Sequence, residues 1–405
     1  MKHIAILGYG VVGGGITGVL DGNREAIRAA VGDDVNVKYI LDLRDFPDSP
    51  YGDRVVRDAS VIMNDPDVCL VAETMGGAHP AFELSMDALR AGKHVVTSNK
   101  EVVATFGDKL LACAAQNGVS YLFEASVGGG IPVIRPFLTS LAGERVSAVR
   151  GILNGTTNFI LTKMKTEMRP FADVLREAQE LGYSEKDPTA DIDGIDAKRK
   201  IMILGALATG ILADESEVYA ETISKISPLD MDAAERAGAV IKLVATAEIE
   251  DGGVAFFVCP QMVKKTDLLA SVDDVYNAVS VTCRVTGDVL FYGRGAGRWP
   301  TAGAVVADVV AALSGAASAE RAPVFVKRSG TVKDFRDVSF SYYVRLSGVS
   351  AMDASEEFER YFDRVSVLDG SPAGKTELIC SEATGRELEK LLSGRTDVES
   401  VIRMG

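Results

Sequence analysis

Charged side chains crowd one stretch of the chain, residues 182–200. Five carboxylates fall within twelve residues there: Glu185, Asp187, Asp191, Asp193 and Asp196. A basic segment and then a strongly apolar one follow, which predicts that the stretch leads into a buried helix. Asp196 and Lys200 are four residues apart and therefore share one face of that helix. One interpretation of this dense polar stretch is an active site.

Two other interpretations of residues 182–200 remain open on the residues alone. One is a solvated acidic loop with an ordinary ion pair between Asp196 and Lys200. The other is a calcium loop that uses Asp187, Asp191 and Asp193, although the pattern D-x-[DN]-x-[DN]-G is matched only in part and no glutamate follows at the required distance. Because the chain has only three histidines, acid–base chemistry falls to lysine, aspartate or glutamate.

A glycine-rich segment near the N-terminus has the spacing of a dinucleotide site. Gly8, Gly10 and Gly13 fit G-x-G-x-x-G, with Val11 and Val12 between them, after a strand-like run and before a helical one. In such loops the first glycine permits the turn, the second lets a pyrophosphate approach the backbone, and the third lets the helix pack on the strand. The phosphates then lie at the N-terminus of the helix.

Residues after two further predicted strands complete the expected nucleotide crevice. Asp42 stands where a carboxylate binds the ribose hydroxyls of NAD, whereas Arg44 suits the 2′-phosphate of NADP, and the sequence alone does not decide between them. Lys100 follows the strand at 94–97. It is expected to point into the crevice, because ligands of open α/β sheets bind beyond the carboxyl ends of the strands. The alternative for Lys100 is an exposed position on a loop.

The elements that must position these residues begin with an α/β part, residues 1–135. Short β-branched runs alternate with helical patterns, which predicts a Rossmann-like, doubly wound parallel sheet. A helix rich in small residues, 301–313, is predicted to pack back on this sheet, so that residues of about 299–320 complete the NAD(P)-binding domain. The predicted strands are 4–7, 35–41, 68–72, 94–97 and 121–124, and the predicted helices include 80–91 and 106–116.

Two further parts follow. Residues 136–298 predict an α+β domain, and 335–405 predict the order βαββαβ of a ferredoxin-like domain after a linker of small and charged residues. In the middle part the predicted helices are 171–181, 195–212 and 231–243, and the predicted strands are 146–152, 242–249 and 256–258.

The composition excludes several classes of protein. The 405 residues include 43 Lys+Arg and 57 Asp+Glu, a formal charge of −14, so nucleic acid is not expected as a partner. No apolar run reaches the ~20 residues of a membrane-spanning helix, and no secretory signal is expected at the N-terminus. The five cysteines are odd in number and widely spaced, which predicts free thiols and a cytoplasmic location.

Taken together, the motifs carry a resemblance to one family over roughly residues 1–320. The chain closely resembles homoserine dehydrogenase, which interconverts L-homoserine and L-aspartate 4-semialdehyde with NAD or NADP. The motifs, in chain order, are the glycine loop 8–13, Ser98-Asn99-Lys100, EASVGGGIP at 124–132, NGTTN at 154–158, the stretch 182–200 and GRGAGRWPTA at 293–302.

The resemblance implies a role for each part of the site. Lys200 and Lys100, oriented by Asp196, are the catalytic residues, with Lys200 the candidate for proton transfer. Glu185, Asp191, Asp196 and Gly182 bind the amino-acid substrate. The cofactor is held by Gly8, Gly10, Val11, Val12, Gly13, Asp42, Arg44, Thr74, Lys100, Gly295 and Gly297.

The family also implies a monovalent cation, usually sodium. Its expected ligands here are Glu124, Val127, Gly129 and Ile131, whose oxygen donors suit a hard cation. The resemblance further implies that residues 136–298 form a catalytic and dimerisation domain and that the protein is a homodimer or homotetramer.

The C-terminal part departs from the family pattern. The order βαββαβ is that of an ACT regulatory domain, but the loop after its first strand, residues 346–353, has no proline where an Asp-x-Pro-Gly-like loop commonly frames the effector site. A threonine sensor and a domain that only dimerises both remain open.

Two rival functions are weighed against the dehydrogenase. An aspartate-semialdehyde dehydrogenase needs a nucleophilic cysteine, and none of the five lies in a glycine-rich or helix-opening segment. A non-catalytic NAD-dependent amino-acid sensor predicts the loss of Lys100 or Lys200, and both are present.

Overall fold

The first sheet of the molecule is parallel and lies in the N-terminal part. The computed structural model describes residues 1–250, 253–319, 322–328 and 330–405. The strands are β1 (Lys2–Leu7), β2 (Val35–Leu41), β3 (Val55–Val56), β4 (Val68–Glu73), β5 (His94–Thr97) and β6 (Tyr121–Leu122), and the helices between them are α1 (Val11–Gly22), α2 (Arg24–Val31), α3 (Ser60–Met63), α4 (Ala81–Arg90) and α5 (Lys100–Gln116). Among the described residues their order is β3-β2-β1-β4-β5-β6, which confirms the predicted doubly wound sheet.

The side chains of β1 show why this sheet is covered on both faces. Ile4 and Ile6 belong to one buried core, whereas Ala5 and Leu7 belong to another, because successive residues of a strand point to opposite faces. The chain leaves β1 for the glycine loop at the switch point between β2 and β4. The crevice that opens there is the usual ligand site of such sheets.

The second sheet is mixed and follows in the chain. Its strands up to residue 294 are β7 (Val146–Ile152), β8 (Tyr219–Ala220), β9 (Ala239–Glu250), β10 (Gly253–Lys264), β11 (Tyr276–Cys283) and β12 (Gly287–Arg294). The helices of this part and of the return to the first sheet are α6 (Ile134–Leu138), α7 (Gly155–Glu167), α8 (Phe171–Glu180), α9 (Thr189–Ile192), α10 (Ile195–Thr209), α11 (Pro228–Arg236), α12 (Arg298–Leu313) and α13 (Ala316–Ala319). Val305 and Val309 of α12 join the core of Ile4 and Ile6, as the predicted return helix requires.

One predicted helix, 231–243, is wrong in its second half. Helix α11 ends at Arg236, Gly238 takes a left-handed φ of +69°, and the chain enters β9 at Ala239. Residues 239–247 are all buried and seven of the nine are apolar, so the segment has no strand-like alternation. A continuous apolar run of this kind does not distinguish a central strand from a buried helix by periodicity. The predicted helix 195–212 also ends early, at Thr209, where Gly210 is left-handed with φ +74°.

The C-terminal part follows the order strand–helix–strand–strand–helix–strand. Its elements are β13 (Ser339–Ser347), α14 (Ala351–Phe358), β14 (Val365–Val367), β15 (Lys375–Thr384), α15 (Gly385–Leu392) and β16 (Val398–Met404). The strands are antiparallel in the order β16-β13-β15-β14. In addition β16 pairs in parallel with β10, with Arg403 opposite Gln261, so one sheet continues from the middle part into the C-terminal part.

Two sequence-level expectations concern the whole chain. All five cysteines are free thiols, as predicted. Searched over its described residues, the molecule contains no helix that is both long enough and apolar enough to cross a membrane.

Candidate active site

A cavity of about 540 Å³ lies between the carboxyl edge of the parallel sheet and the helices of the middle part. It brings together segments that are far apart in the chain. Its lining includes Val12, Ser98, Lys100, Ala125, Ser126, Gly129, Asn154, Gly155, Thr156, Gly182, Tyr183, Asp191, Asp196, Lys200, Val275, Asn277, Arg294, Gly295, Ala296, Gly297 and Thr301.

The glycine loop forms one end of this cavity. Gly8 has a left-handed φ of +86°, and a Cβ at Gly13 would lie only 2.2 Å from the carbonyl oxygen of Gly8. The hydroxyl of Thr74 donates to that same carbonyl at 2.7 Å, which ties the end of β4 to the loop. The first N–H groups of α1, from Val11 onward, have no partner within the helix and can bind an anion. These residues fit a dinucleotide pyrophosphate.

Asp42 and Arg44 form a pair beside the glycine loop. One oxygen of Asp42 accepts from the backbone N–H of Tyr9 (2.8 Å) and from Nη2 of Arg44 (2.9 Å). The other oxygen accepts from the backbone N–H and the Nε of Arg44, both at 3.0 Å. The Arg44 guanidinium holds the pKa of the Asp42 carboxyl well below its usual range. The Arg44 side chain is itself 63% exposed and is within reach of a ligand at the loop.

Lys100 is the first residue of α5 and reaches toward the middle part. The helix is capped by Asn99, whose Oδ1 accepts from the N–H of Val102 at 3.2 Å and whose Nδ2 donates to the carbonyl of Gly77 at 2.8 Å. Lys100 Nζ lies 3.0 Å from Asp196 Oδ1. The sequence-predicted lysine of the crevice therefore meets the carboxylate of helix α10, 96 residues later in the chain.

Lys200 approaches the same carboxylate from the other side. Its Nζ donates to Asp196 Oδ2 at 2.6 Å and to the carbonyl of Leu153 at 2.7 Å. Both Asp196 and Lys200 are buried on α10. Asn154, the cap of α7, donates through Nδ2 to Asp191 Oδ1 (2.7 Å) and to Asp196 Oδ2 (3.0 Å). The result is a continuous chain of contacts from Lys100 through Asp196 to Lys200, braced by Asn154.

The electrostatics of this chain follow from its burial. Burial acts to raise the pKa of Asp196, but the ammonium groups of Lys200 and Lys100 outweigh it and hold that pKa well below the usual value. In return the negative charge of Asp196 raises the pKa of Lys100, against the opposing effect of desolvation. Burial raises the pKa of Asp191, because it outweighs the hydrogen bond from Asn154 and the positive charge of Lys200. At neutral pH, Asp196 is therefore ionised and Lys100 is protonated.

The other predicted substrate residues differ in position. Gly182 lines the cavity with φ +75°, and Tyr183 beside it does so too. Glu185 is exposed, and it is not one of the described residues that line the cavity. The Asp187 carboxylate accepts from the hydroxyl and the backbone N–H of Thr189, at 2.6 and 3.2 Å. No group of three or more His, Cys, Asp or Glu side chains suited to a metal ion occurs in the described ranges, so the structure offers no support for the calcium interpretation.

The predicted cation ligands lie in one buried turn. Oε1 of Glu124 accepts from the N–H groups of Val133 (2.7 Å) and Ile134 (2.8 Å), and Oε2 accepts from that of Arg135 (2.8 Å). The carboxylate thus caps the short helix α6. In the described part of the chain, the carbonyl oxygens of Val127, Gly129 and Ile131 accept no hydrogen bond, which leaves them available to a cation.

Backbone contact between two glycine segments closes one side of the cavity. A Cβ at Gly129 would lie 2.5 Å from the carbonyl oxygen of Gly295. Gly297, with φ +117°, precedes α12, and Thr301 in the first turns of that helix lines the cavity. A side chain at Gly129 would therefore push the segment that contains Gly295 away from the cavity.

The sequence-based assignment named only part of this site. Asn154 and Tyr183 were passed over, although Asn154 links two of the carboxylates and Tyr183 lines the cavity. A usable signal existed for Asn154, because an asparagine directly after a strand and before Gly-Thr-Thr is a favoured helix cap. No comparable signal marked Tyr183.

A parallel sheet with this glycine loop at its switch point, and a lysine–carboxylate chain in the adjoining cavity, defines an NAD(P)-dependent dehydrogenase. The family model described as homoserine dehydrogenase, NAD binding domain, matches residues 8–124, and the model described as homoserine dehydrogenase matches residues 132–310. The chain belongs to the homoserine dehydrogenase family and is an NAD(P)-dependent oxidoreductase.

Relatives and solved structures agree with this assignment. Homoserine dehydrogenase of Neisseria gonorrhoeae is 39% identical over 358 residues, which cover 85% of this chain and 81% of that protein. Homoserine dehydrogenase of Synechocystis sp. is 43% identical over 314 residues, covering 76% and 72%. The structure of a homoserine dehydrogenase from Thiobacillus denitrificans has a TM-score of 0.90 at 34% identity and covers 100% of this chain and 98% of that chain. A hyperthermophilic archaeal homoserine dehydrogenase mutant in complex with NADPH has a TM-score of 0.66 at 29% identity, covering 77% and 97%.

Proposed function

We propose that the protein interconverts L-homoserine and L-aspartate 4-semialdehyde and that Lys200 transfers the proton. The observation that carries this proposal is the chain Lys100–Asp196–Lys200 in the cavity that also contains the glycine loop. When bound, the nicotinamide supplies or accepts the hydride. The residues of the protein supply the proton, the charge complementarity and the orientation.

Lys200 has the geometry of a proton donor in the reductive direction. Two of its three N–H bonds are used by Asp196 and by the carbonyl of Leu153, which leaves one for the carbonyl oxygen of the aldehyde. In that direction Lys200 gives its remaining proton to the aldehyde oxygen, which becomes the hydroxyl oxygen of homoserine. In the oxidative direction, neutral Lys200 takes that proton back.

The remaining charges suit an amino acid. The carboxylates of Asp191 and Asp196 face the same cavity, where they complement a substrate ammonium group, while protonated Lys100 complements a substrate oxygen. Glu185 remains a proposed substrate contact, and its exposed position means that the loop 183–188 has to move for it to reach the cavity.

Replacement of Lys200 tests the proposal. Lys200→Met keeps the length of the side chain but removes the proton, so kcat is expected to fall by roughly 10²–10⁴-fold in both directions. Titration calorimetry with NADP⁺ should show unchanged cofactor affinity. Lys198→Met is the matched control, because Lys198 is on the same helix but lies outside the cavity lining, and its kcat should stay near that of the wild type. If Lys200→Met retained wild-type kcat, the assignment of Lys200 would be wrong.

For the cofactor, we propose a preference for NADP over NAD. The ribose hydroxyls of NAD need a free carboxylate, yet both oxygens of Asp42 are already occupied by four N–H donors. Arg44, in contrast, is more than half exposed and lies 4.0 Å from the Cβ position of Gly10 in the phosphate loop. A guanidinium there can contact a 2′-phosphate without leaving Asp42.

Three further parts of the proposal rest on the family resemblance. The cation is proposed to bind the free carbonyl oxygens of Val127, Gly129 and Ile131 together with the remaining lone pair of Glu124. A homodimer or homotetramer, and threonine binding or dimerisation by residues 335–405, remain predictions. The domain limits 1–135, 136–298 and 335–405 and the cytoplasmic location, which follow from the pattern of elements and from the cysteines, also remain predictions.

A further inference from the structure

One polar side chain of the cavity has no role in the reaction as described so far. Asn277 is only 1% exposed and lines the cavity. Its Oδ1 is buried and, among the described residues, accepts no hydrogen bond. Buried side-chain oxygens of this kind are rare in folded proteins and call for an explanation, such as a missing ligand.

The backbone that leads to Asn277 is held by a second asparagine, Asn158. Asn277 is the second residue of β11, and the carbonyl of the residue before it, Tyr276, accepts from Nδ2 of Asn158 at 3.1 Å. The same Nδ2 also donates to the carbonyls of Val272 and Asp274, each at 3.0 Å. Asn158, the last residue of the motif NGTTN, thus binds the backbone segment that leads into β11.

The chain also leaves space for the Asn277 amide. A Cβ at Gly295 would lie 2.0 Å from Asn277 Nδ2, and a Cβ at Gly155 would lie 3.5 Å from its Oδ1. Asn277 therefore fits between the glycine segment at the nucleotide end of the cavity and the N-terminus of α7 at the amino-acid end. This is the region in which the nicotinamide ring must meet the substrate for hydride transfer.

We propose that Asn277 binds the carboxamide group of the nicotinamide ring, and so orients the ring toward the substrate. This inference rests on the proposed function. A neutral amide is a complementary partner for another neutral amide, since each offers a donor and an acceptor. The ammonium group of the substrate is the competing N–H donor, but the carboxylates of Asp191 and Asp196 line the same cavity and complement that charge.

A cofactor analogue tests the contact by equilibrium binding. In the 3-acetylpyridine analogue of NADP⁺ a methyl group replaces the NH₂ of the carboxamide, so the donor to Asn277 Oδ1 is lost while the carbonyl is kept. By isothermal titration calorimetry, the wild type is expected to bind NADP⁺ about tenfold more tightly than the analogue, which is the effect of one lost hydrogen bond. Asn277→Ala should bind the two within about twofold of each other.

A second variant and a control keep the test decisive. Asn277→Asp retains the acceptor and should still prefer NADP⁺ over the analogue, and circular dichroism verifies that both variants are folded. Ser280→Ala changes a side chain of the same strand outside the described cavity lining and should leave the preference unchanged.

Other outcomes separate the possible failures. An unchanged preference in Asn277→Ala would overturn the contact with the carboxamide. A lower KM for homoserine in Asn277→Asp, together with an unchanged cofactor preference in Asn277→Ala, would assign Asn277 to the substrate ammonium instead. Absence of NADP⁺ and NAD⁺ binding by the folded wild type would contradict the proposed function itself.

Discussion

At the scale of single residues, Asp196 links two lysines that come from different parts of the fold. Its two carboxylate oxygens lie 3.0 Å from Lys100 Nζ and 2.6 Å from Lys200 Nζ. Because the side chain of Asp196 is only 10% exposed, water screens these interactions little. One buried negative charge therefore keeps two lysine side chains in place.

Arg44 provides the prediction at this scale. Arg44→Ser is expected to weaken NADP⁺ binding by roughly 10–100-fold, because a charge-assisted contact with the 2′-phosphate is lost. The same change frees oxygens of Asp42, so NAD⁺ binding should be unchanged or tighter. Calorimetric titration with both nucleotides measures the ratio, and Arg28→Ser, an exposed arginine of α2, is the control. Equal loss for NADP⁺ and NAD⁺ would argue against a phosphate contact by Arg44.

At the scale of elements, the ends of β4 and β5 are joined by a buried carboxyl group. Glu73, at the end of β4, accepts from the hydroxyl of Thr97 at 2.5 Å and from the N–H of Met75 at 2.7 Å. The hydroxyl of Thr97 accepts in turn from the N–H of Asn99, the cap of α5. The start of α5, and with it Lys100, is thereby tied to the edge of the parallel sheet.

Glu73 predicts a pH-dependent stability. Burial raises the pKa of Glu73 to about 7, so its carboxyl binds a proton in the folded state over a pH range in which the unfolded chain has lost it. This contribution to stability is complete below the pKa of the unfolded chain and is lost as the pH rises through about 7. In Glu73→Gln that loss, on the order of 3 kcal/mol, should be absent.

Thermal unfolding at pH 5.5 and at pH 8.5 checks this expectation. Between pH 5.5 and pH 8.5, the Tm of the wild type should fall by more than the Tm of Glu73→Gln. Glu25→Gln, at an exposed position of α2, should follow the wild type. The same pH dependence in all three proteins would show that Glu73 does not titrate as the structure indicates.

At the scale of the whole molecule, buried charges join the C-terminal part to the middle part. Arg345 on β13 lies 2.9 Å from Asp230 on α11, and their side chains are 5% and 1% exposed. Nearby, Glu377 on β15 accepts from the hydroxyl of Tyr343 at 2.7 Å and from Arg236 at 2.5 Å. Together with the pairing of β16 and β10, these contacts make the C-terminal part continuous with the part that contains α10.

Removal of Arg345 tests this connection. Arg345→Met leaves the carboxylate of Asp230 buried without its ion pair, and is expected to lower the free energy of unfolding by about 3–5 kcal/mol. Arg386→Met removes a half-exposed arginine with two aspartate partners on the same C-terminal part, and should change it by less than about 1 kcal/mol. Urea unfolding followed by fluorescence and by circular dichroism compares the two. Equal stability of both variants would mean that the buried pair adds nothing to the fold.

The local features were predictable because their causes are local. The spacing of Gly8, Gly10 and Gly13 requires only a turn between one strand and one helix, and the turn is observed as expected. Asp196 and Lys200 share a helix face because they are four residues apart. The alternation of strands and helices in residues 1–135 likewise repeats a short-range pattern. For these features the amino-acid sequence by itself determined the outcome.

Tertiary structure decided what joins distant segments. The contact of Lys100 with Asp196 depends on how α5 and α10 pack, and the strand β9 replaced half of a predicted helix because neighbours on both sides supplied its hydrogen bonds. The outward position of Glu185 and the pairing of β16 with β10 had no local signal either. The periodicity of side chains predicts which residues are buried. It does not predict which segments they pack against, because those contacts form only when the whole chain folds.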